Sequence, residues 1–183
     1  MLEKDMSKSE IESVLKNKGE FIQIDYLNKY IHLNPSIETK RFVFLKLAKI
    51  YEKKSLYNEA AKMYGNAANF SIAFSEKIKN YVKETAMFIK AKQFDRAEQA
   101  TKKALYEANE TQKAEIFFTI KQIYKNEAEF YEKNLKRNNA AIIYEKIMQM
   151  NIPENEKQEI KNKLLSLYER LGKFKEYYRL KRN

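Results

Sequence analysis

The chain has no cysteine, one histidine, two prolines and three glycines in 183 residues. Without cysteine there are no disulfides, thiol nucleophiles or thiolate metal sites, which suits a reducing compartment, and the cytoplasm is the expected location. One histidine and no cysteine cannot supply the ligands of a His/Cys zinc site or the two Glu-x-x-His motifs of a di-iron bundle. Glycines at Gly19, Gly65 and Gly172 alone build neither a phosphate loop nor a dinucleotide fingerprint. So few Gly and Pro also leave little turn chemistry for the hairpins of a β-sandwich or barrel. Long apolar runs are missing too: stretches such as Phe42-Val43-Phe44-Leu45 are four residues long, against roughly twenty for a spanning helix. The start, Met1-Leu2-Glu3-Lys4-Asp5-Met6, carries mixed charge and leads into no apolar core of a signal peptide. No membrane insertion is expected.

What is present is charge and helical periodicity. Lys+Arg number 36 against 25 Asp+Glu, a net charge of +11. Apolar residues recur at i, i+3, i+4, i+7 in two blocks, Phe44, Leu47, Ala48, Tyr51 and then Tyr57, Ala60, Ala61, Tyr64, Ala67, Ala68. The break at Lys53-Lys54-Ser55 makes them two amphipathic helices in an αα-hairpin. Lys92-Gln93-Phe94-Asp95 is a second break of this kind. Pro35 and Pro153 suit first-turn helix positions, where the missing N–H costs nothing. Asn109 with Gln112 reads as a capping box.

The hairpins repeat. Phe44, Leu47, Ala48, Tyr51, Tyr57, Ala60, Tyr64 and Ala67 together resemble a tetratricopeptide repeat, with small alanines where two helices approach and tyrosines filling the space beside them. A second copy runs Tyr81, Thr85, Phe88, Phe94, Ala97, Thr101, Ala104, with Glu84 in place of an apolar residue. A third runs Tyr124, Ala128, Tyr131, Ala140, Tyr144, Ile147. A truncated fourth is Leu164, Leu165, Tyr168, Gly172, Phe174, with Tyr177 where the small alanine belongs. Residues from Gly19 to Pro35 look like a degenerate first copy. The residues Ala60, Ala97, Ala140 and Tyr177 are spaced 37, 43 and 37 apart, longer than the standard repeat of about 34, and in this period the chain is also similar to the SNAP-type vesicle-fusion adaptors. The resemblance implies one all-α domain over residues 1–183: a right-handed superhelix of about eight or nine stacked antiparallel helices. Residues 1–40 would form a divergent cap, 41–155 the three clearest repeats and 156–183 a truncated end.

Candidate chemistry is sparse. His32 ends a helical stretch before Asn34-Pro35 and reads as a satisfied or exposed histidine rather than a catalytic one. Glu127, Glu129 and Glu132 lie between Lys125 and Lys133, which reads as an ion-paired helix face. Most of the thirteen tyrosines fall at packing positions; Tyr26, Tyr106, Tyr177 and Tyr178 are less accounted for. No catalytic residue, metal or cofactor is expected.

Binding is another matter. In tetratricopeptide proteins the ligand lies in a groove lined by the first helix of each hairpin. The resemblance places Lys49, Lys53, Lys79, Lys90, Lys125 and Lys133 there, with Leu45, Val82 and Ile89 as apolar anchors. The family's carboxylate clamp is not reproduced, since Leu45 stands for its first lysine and Lys49 for its asparagine. Charge is also uneven along the chain. Residues 1–40 carry six basic and seven acidic groups, 41–80 eight and three, 81–120 seven and six, and 121–183 fifteen and nine. Arg170, Lys173, Lys175, Arg179, Lys181 and Arg182 form a basic C-terminal tip beside Phe174, Tyr177 and Tyr178. Cations there complement a helix dipole; alternatively they meet phosphate. The expected function is a non-enzymatic scaffold holding an acidic protein segment. The alternative is an RNA- or ribosome-associated protein using the same basic surface, and self-association is a third.

Overall fold

Every regular element among the described residues, 2–182 in the computed structural model, is a helix. In order they are α1 (Lys8–Leu15), α2 (Glu20–His32), α3 (Ile37–Lys53), α4 (Tyr57–Asn69), α5 (Phe74–Lys90), α6 (Phe94–Tyr106), α7 (Glu110–Lys133), α8 (Arg137–Met148), α9 (Glu154–Arg170) and α10 (Phe174–Arg182). The all-α class is as expected. The count is ten rather than eight or nine, because two separate helices precede α3 and a full helix, α10, follows Gly172. The chain divides into two compact units, one ending at Ile116 and the other beginning at Phe117.

One turn, used four times, makes the hairpins. Ser55 (φ 58°), Lys92 (φ 58°), Leu135 (φ 56°) and Gly172 (φ 67°) all stand in the left-handed region. The Ser55 N–H donates to the Glu52 carbonyl and the next N–H, of Leu56, reaches back to Tyr51, both at 2.9 Å. Lys92 and Gln93, Leu135 and Lys136, and Gly172 and Lys173 repeat the pattern. These are Schellman caps, which satisfy the last carbonyls of one helix and reverse the chain into the next. In each case the carbonyl after the left-handed residue accepts the N–H four residues on, opening the bond ladder of the following helix, as Leu56 does from Ala60 at 3.0 Å. Ser55 and Leu135 are eighty residues apart, as are Lys92 and Gly172. Helices α5 and α9 begin and end at the same interval. The turns and the α5/α9 pair of the second unit thus repeat those of the first at an eighty-residue offset.

In the first unit α3, α4, α5 and α6 pack in succession. Ala48, Ala60, Ala61, Ala67, Ala68, Ala97, Ala100 and Ala104 are completely buried. With no side chain beyond Cβ they let helix axes approach, while Leu47 and Tyr64 fill the flanking space. A larger residue at any of these alanines would overpack the interface at about 1–3 kcal/mol. Helix α1 is started by a reciprocal cap: Ser7 Oγ accepts the Glu10 N–H at 3.3 Å and the Glu10 carboxylate accepts the Ser7 N–H at 2.7 Å. Ile11 and Leu15 from α1 join Leu2, Leu27, Tyr30, Val43, Leu47 and Ile50 in one core. The Tyr30 hydroxyl pins the N-terminal strand of chain by donating to the Lys4 carbonyl at 2.8 Å.

In the second unit Ile120, Tyr124, Ala128, Tyr131, Ala140, Ala141, Ile143, Tyr144, Ile147, Ile160, Leu164, Leu167 and Tyr168 are the buried set. The start of α7, which lies in the first unit, carries the expected capping box, with Gln112 N–H on Asn109 Oδ1 at 2.9 Å and Asn109 N–H on Gln112 Oε1 at 3.0 Å. The prolines sit slightly earlier than expected. Pro153 is the cap residue of α9, and Pro35 precedes Ser36, which caps α3 by accepting the Thr39 N–H. A serine side chain satisfies a free helical N–H and a proline does not, so the cap falls on Ser36.

Candidate functional site

Helices α3 and α5 of the first unit carry a basic cleft. Arg41, Leu45 and Lys49 recur every four residues on one face of α3; Glu76, Lys79, Asn80 and Lys83 share a face of α5. Together they line a cleft of about 200 Å³. Three of the lining residues are committed. Arg41 pairs with Glu76, and the buried Asn80 amide donates to Ser71 Oγ at 3.3 Å. Three ammoniums remain. Lys49 and Lys79 are exposed, Lys83 is half-buried, and none of the three is in an ion pair among the described residues. Lys83 lies 5.1 Å from the centroid of the Tyr64 ring. Burial pushes the Lys83 ammonium below its ordinary range; Lys79 and Lys49 push the same way and Glu52 opposes them.

Of the groove residues expected from the sequence, the structure brings Leu45, Lys49 and Lys79 into this cleft. Lys53 instead pairs with Glu20 at 2.6 Å, beside Lys54 on the same carboxylate at 3.3 Å. Lys90 sits 3.8 Å from Glu52 and over the Tyr57 ring. Val82 is half-buried, and Ile89 is fully buried at 0% exposure, so Ile89 is a core residue and not a groove anchor. It lies on the face of α5 with Tyr81, Thr85 and Phe88 that is turned into the helix pack. Sequence reasoning missed Arg41 and Lys83. The signal was available: Lys83 follows Lys79 by four residues, and therefore shares its helix face.

The second unit holds the other expected lysines. Lys125 pairs with Glu156 at 2.5 Å, and Lys121 meets the same carboxylate at 2.8 Å. Hydrogen bonds from these two ammoniums hold the Glu156 carboxyl below its usual range. Lys133 is exposed at the end of α7. Glu132 accepts the Tyr144 hydroxyl at 2.6 Å and Glu129 lies 3.9 Å from Lys163, so both take part in bonds between helices.

At the tip, Arg170, Lys175, Arg179, Lys181 and Arg182 are exposed. Lys173 donates to Asn138 at 2.8 Å, and Lys181 lies over the Tyr177 ring. The 430 Å³ cavity there is lined by Glu145, Tyr168, Lys173, Glu176, Arg179 and Leu180. Its two carboxylates stand against its two cations, so it lacks the uncompensated charge of the α3/α5 cleft. His32 is exposed at the end of α2.

Among the described residues no three His, Asp or Glu side chains gather as they would around a metal ion, and no helix is long and apolar enough to cross a membrane. No protein-family model matches the chain and no curated protein matches it. Among solved structures, BtubC (BKLC) from P. vanneervenii is similar at 15% identity, over 94% of this chain and 80% of that one, with a TM-score of 0.38. A likeness at that level carries no argument about function.

Proposed function

We propose that the chain is a non-enzymatic scaffold of tetratricopeptide-like hairpins that holds an acidic segment of another protein. The observation that carries this reading is the cleft between α3 and α5, where Lys49, Lys79 and Lys83 converge with no ion pair of their own, its lining carboxylate, Glu76, being held by Arg41. Ammoniums placed together repel one another by amounts that matter once one of them is partly desolvated. An anionic partner removes that repulsion and gains charge-assisted hydrogen bonds. Leu45 adds an apolar surface beside the charges, which suits a peptide better than a bare phosphate backbone.

The test is capture from native lysate with the tagged full chain, with and without nuclease, followed by lysine crosslinking and mass spectrometry. Protein partners that survive nuclease and crosslink through acidic-rich segments to Lys49 or Lys79 are expected. If every partner is released by nuclease, the surface binds RNA and the scaffold reading fails.

A further inference from the structure

The eighty-residue repeat supplies an internal comparison for the cleft. Lys83 over the Tyr64 ring corresponds to Lys163 over the Tyr144 ring, at 5.1 Å and 5.4 Å. Tyr64 donates to Glu52 at 2.9 Å, and Tyr144 to Glu132 at 2.6 Å. The pair Arg41–Glu76 corresponds to Lys121–Glu156. These three contacts around the two lysines are shared. Among the lining residues Leu45 corresponds to Lys125 and Asn80 to Ile160, and two positions reverse sign: Lys49 corresponds to Glu129, and Lys79 to Glu159. In the second unit these carboxylates flank the lysine, with Lys163 Nζ 3.9 Å from Glu129 and 3.7 Å from Glu159. That site is neutralised from within. In the first unit the same two places hold further ammoniums, and the central one remains half-buried and in no ion pair among the described residues.

We infer that the α3/α5 cleft is built to receive two carboxylates from an acidic peptide, seated around Lys83 as Glu129 and Glu159 are seated around Lys163. The inference rests on the scaffold reading and sharpens it: recognition lies in the first unit, and the ligand presents acidic side chains in a pair. Arg41 does not compete for them, because Glu76 holds it. Lys49 and Lys79 approach the peptide from the rim, where long ammonium side chains reorient easily. Lys83 fixes the position of the pair, since packing against Tyr64 restricts it.

The experiment is an anisotropy titration of the full chain with a fluorescein-labelled, otherwise neutral twelve-residue peptide bearing two adjacent glutamates. The same peptide with two glutamines, and with one phosphoserine, are the comparison probes. Wild type is expected to bind one diglutamate peptide at least tenfold more tightly than the diglutamine peptide. The variant Lys49→Glu/Lys79→Glu, which puts glutamates at the two places where the second unit already carries them, should lose that preference while keeping its circular dichroism spectrum. The mirror variant Glu129→Lys/Glu159→Lys should bind two diglutamate peptides. Equal binding of the glutamate and glutamine peptides by wild type overturns the inference, as does an unchanged preference in Lys49→Glu/Lys79→Glu or a single site in the mirror variant. A phosphoserine peptide bound tenfold more tightly than the diglutamate one reassigns the cleft to phosphate. If Lys49→Glu/Lys79→Glu still captures every nuclease-resistant partner of wild type, the cleft assignment fails and the scaffold reading stands.

Discussion

The carboxylate of Glu84, on α5, lies 2.8 Å from where a Cβ on Gly65, in α4, would stand. Glu84 is buried, with its side chain 7% exposed, and its Oε2 has no hydrogen-bond partner. Its other oxygen meets Lys103 at 3.3 Å. The absent side chain at position 65 is what gives this carboxylate room inside the helix pack. Eighty residues on, the arrangement is inverted: Leu164 replaces the glutamate and Glu145 replaces the glycine. There Leu164 is core, and Glu145 accepts the Tyr168 hydroxyl at 2.8 Å. Each unit thus places one carboxylate at this helix contact, on opposite partners.

Gly65 and Glu84 should therefore be energetically coupled. In a helix interior Ala is better than Gly by about 1 kcal/mol, but a Cβ here displaces a buried carboxylate. Gly65→Ala is expected to destabilise wild type by about 1 kcal/mol, the steric term outweighing propensity. In a Glu84→Ala background the clash is absent, and Gly65→Ala should stabilise by about 1 kcal/mol. Urea denaturation of the four proteins measures the cycle. An equal effect of Gly65→Ala in both backgrounds would show that the approach carries no energy.

The same carboxylate should leave a signature in pH. Burial raises the Glu84 pKa above its ordinary value of 4.5, with Lys103 opposing the shift. A raised folded-state pKa means that the native chain binds more protons than the unfolded chain between 4.5 and the folded value. Stability contributed by this group is thus lost as pH rises through that window. Glu10, Glu20, Glu38 and Glu156 are shifted the other way, by hydrogen bonds from Ser7 or from lysines, and their contribution is lost as pH falls. The comparison of wild type with Glu84→Gln separates the two. The variant should gain stability relative to wild type as pH rises from 4.5 to 7.5, because Gln needs no charge in the core. Parallel curves of stability against pH would rule out the burial account.

Much of the hairpin architecture was legible in particular residues. The spacing of Phe44, Leu47, Ala48 and Tyr51 against Ala60, Ala61 and Tyr64 gives the α3–α4 pair directly, since a small residue at each close approach is a steric demand on the sequence. Glu84 stood out as a polar residue at an apolar position, though only the structure shows Gly65 making room for it. The first helix was missed, although Ser7 and Glu10 carry its capping box in plain view. The site was less legible. Lys53, Lys90 and Lys125 differ from Lys49 and Lys79 only in having a carboxylate on a neighbouring helix, and such pairings depend on how helices are set against each other. Ile89 was misplaced for a related reason: a one-residue error in facing, about 100° around a helix, exchanges groove for core.

The left-handed turn residues offer a stabilisation that leaves every helix contact in place. Leu135 is 72% exposed at φ 56°, a conformation that a Cβ disfavours by about 1–2 kcal/mol. Leu135→Gly relieves this, offset by the larger entropy of glycine in the unfolded chain, about 0.4–1 kcal/mol. A net gain of about 0.5–1 kcal/mol is expected, with a higher thermal midpoint. Gly172→Ala at the corresponding turn should lose about 1 kcal/mol, with no steric contribution because nothing lies within 4 Å of its Cβ position. Opposite signs at two matched turns distinguish backbone strain from any general tolerance of loops, and calorimetry reads both.

The tyrosine bonds test whether the eighty-residue repeat extends to energetics. Tyr64 and Tyr144 are almost wholly buried, and each donates its hydroxyl to a glutamate twelve residues earlier. Burial and that carboxylate together raise both phenols well above their ordinary value, so neither ionises in any working range of pH. Phenylalanine keeps the ring and its packing and deletes only the bond. A hydrogen bond to a charged acceptor contributes about 1.5–3 kcal/mol, reduced where, as at Glu52 and Glu132, the acceptor reaches solvent. Tyr64→Phe and Tyr144→Phe should each lose about 1–2 kcal/mol, with full retention of helical content. The second unit has one further donor, since Lys163 reaches the Tyr144 hydroxyl at 3.4 Å. In Tyr144→Phe that lysine keeps Glu129 and Glu159 as partners, whereas in Tyr64→Phe nothing new is offered to Lys83. Raising salt from 0.05 to about 0.5 M, which screens exposed charge pairs, should therefore change the cost of Tyr144→Phe more than that of Tyr64→Phe. Equal salt responses would mean that the sign reversal around the two lysines has no effect on the bonds beside them.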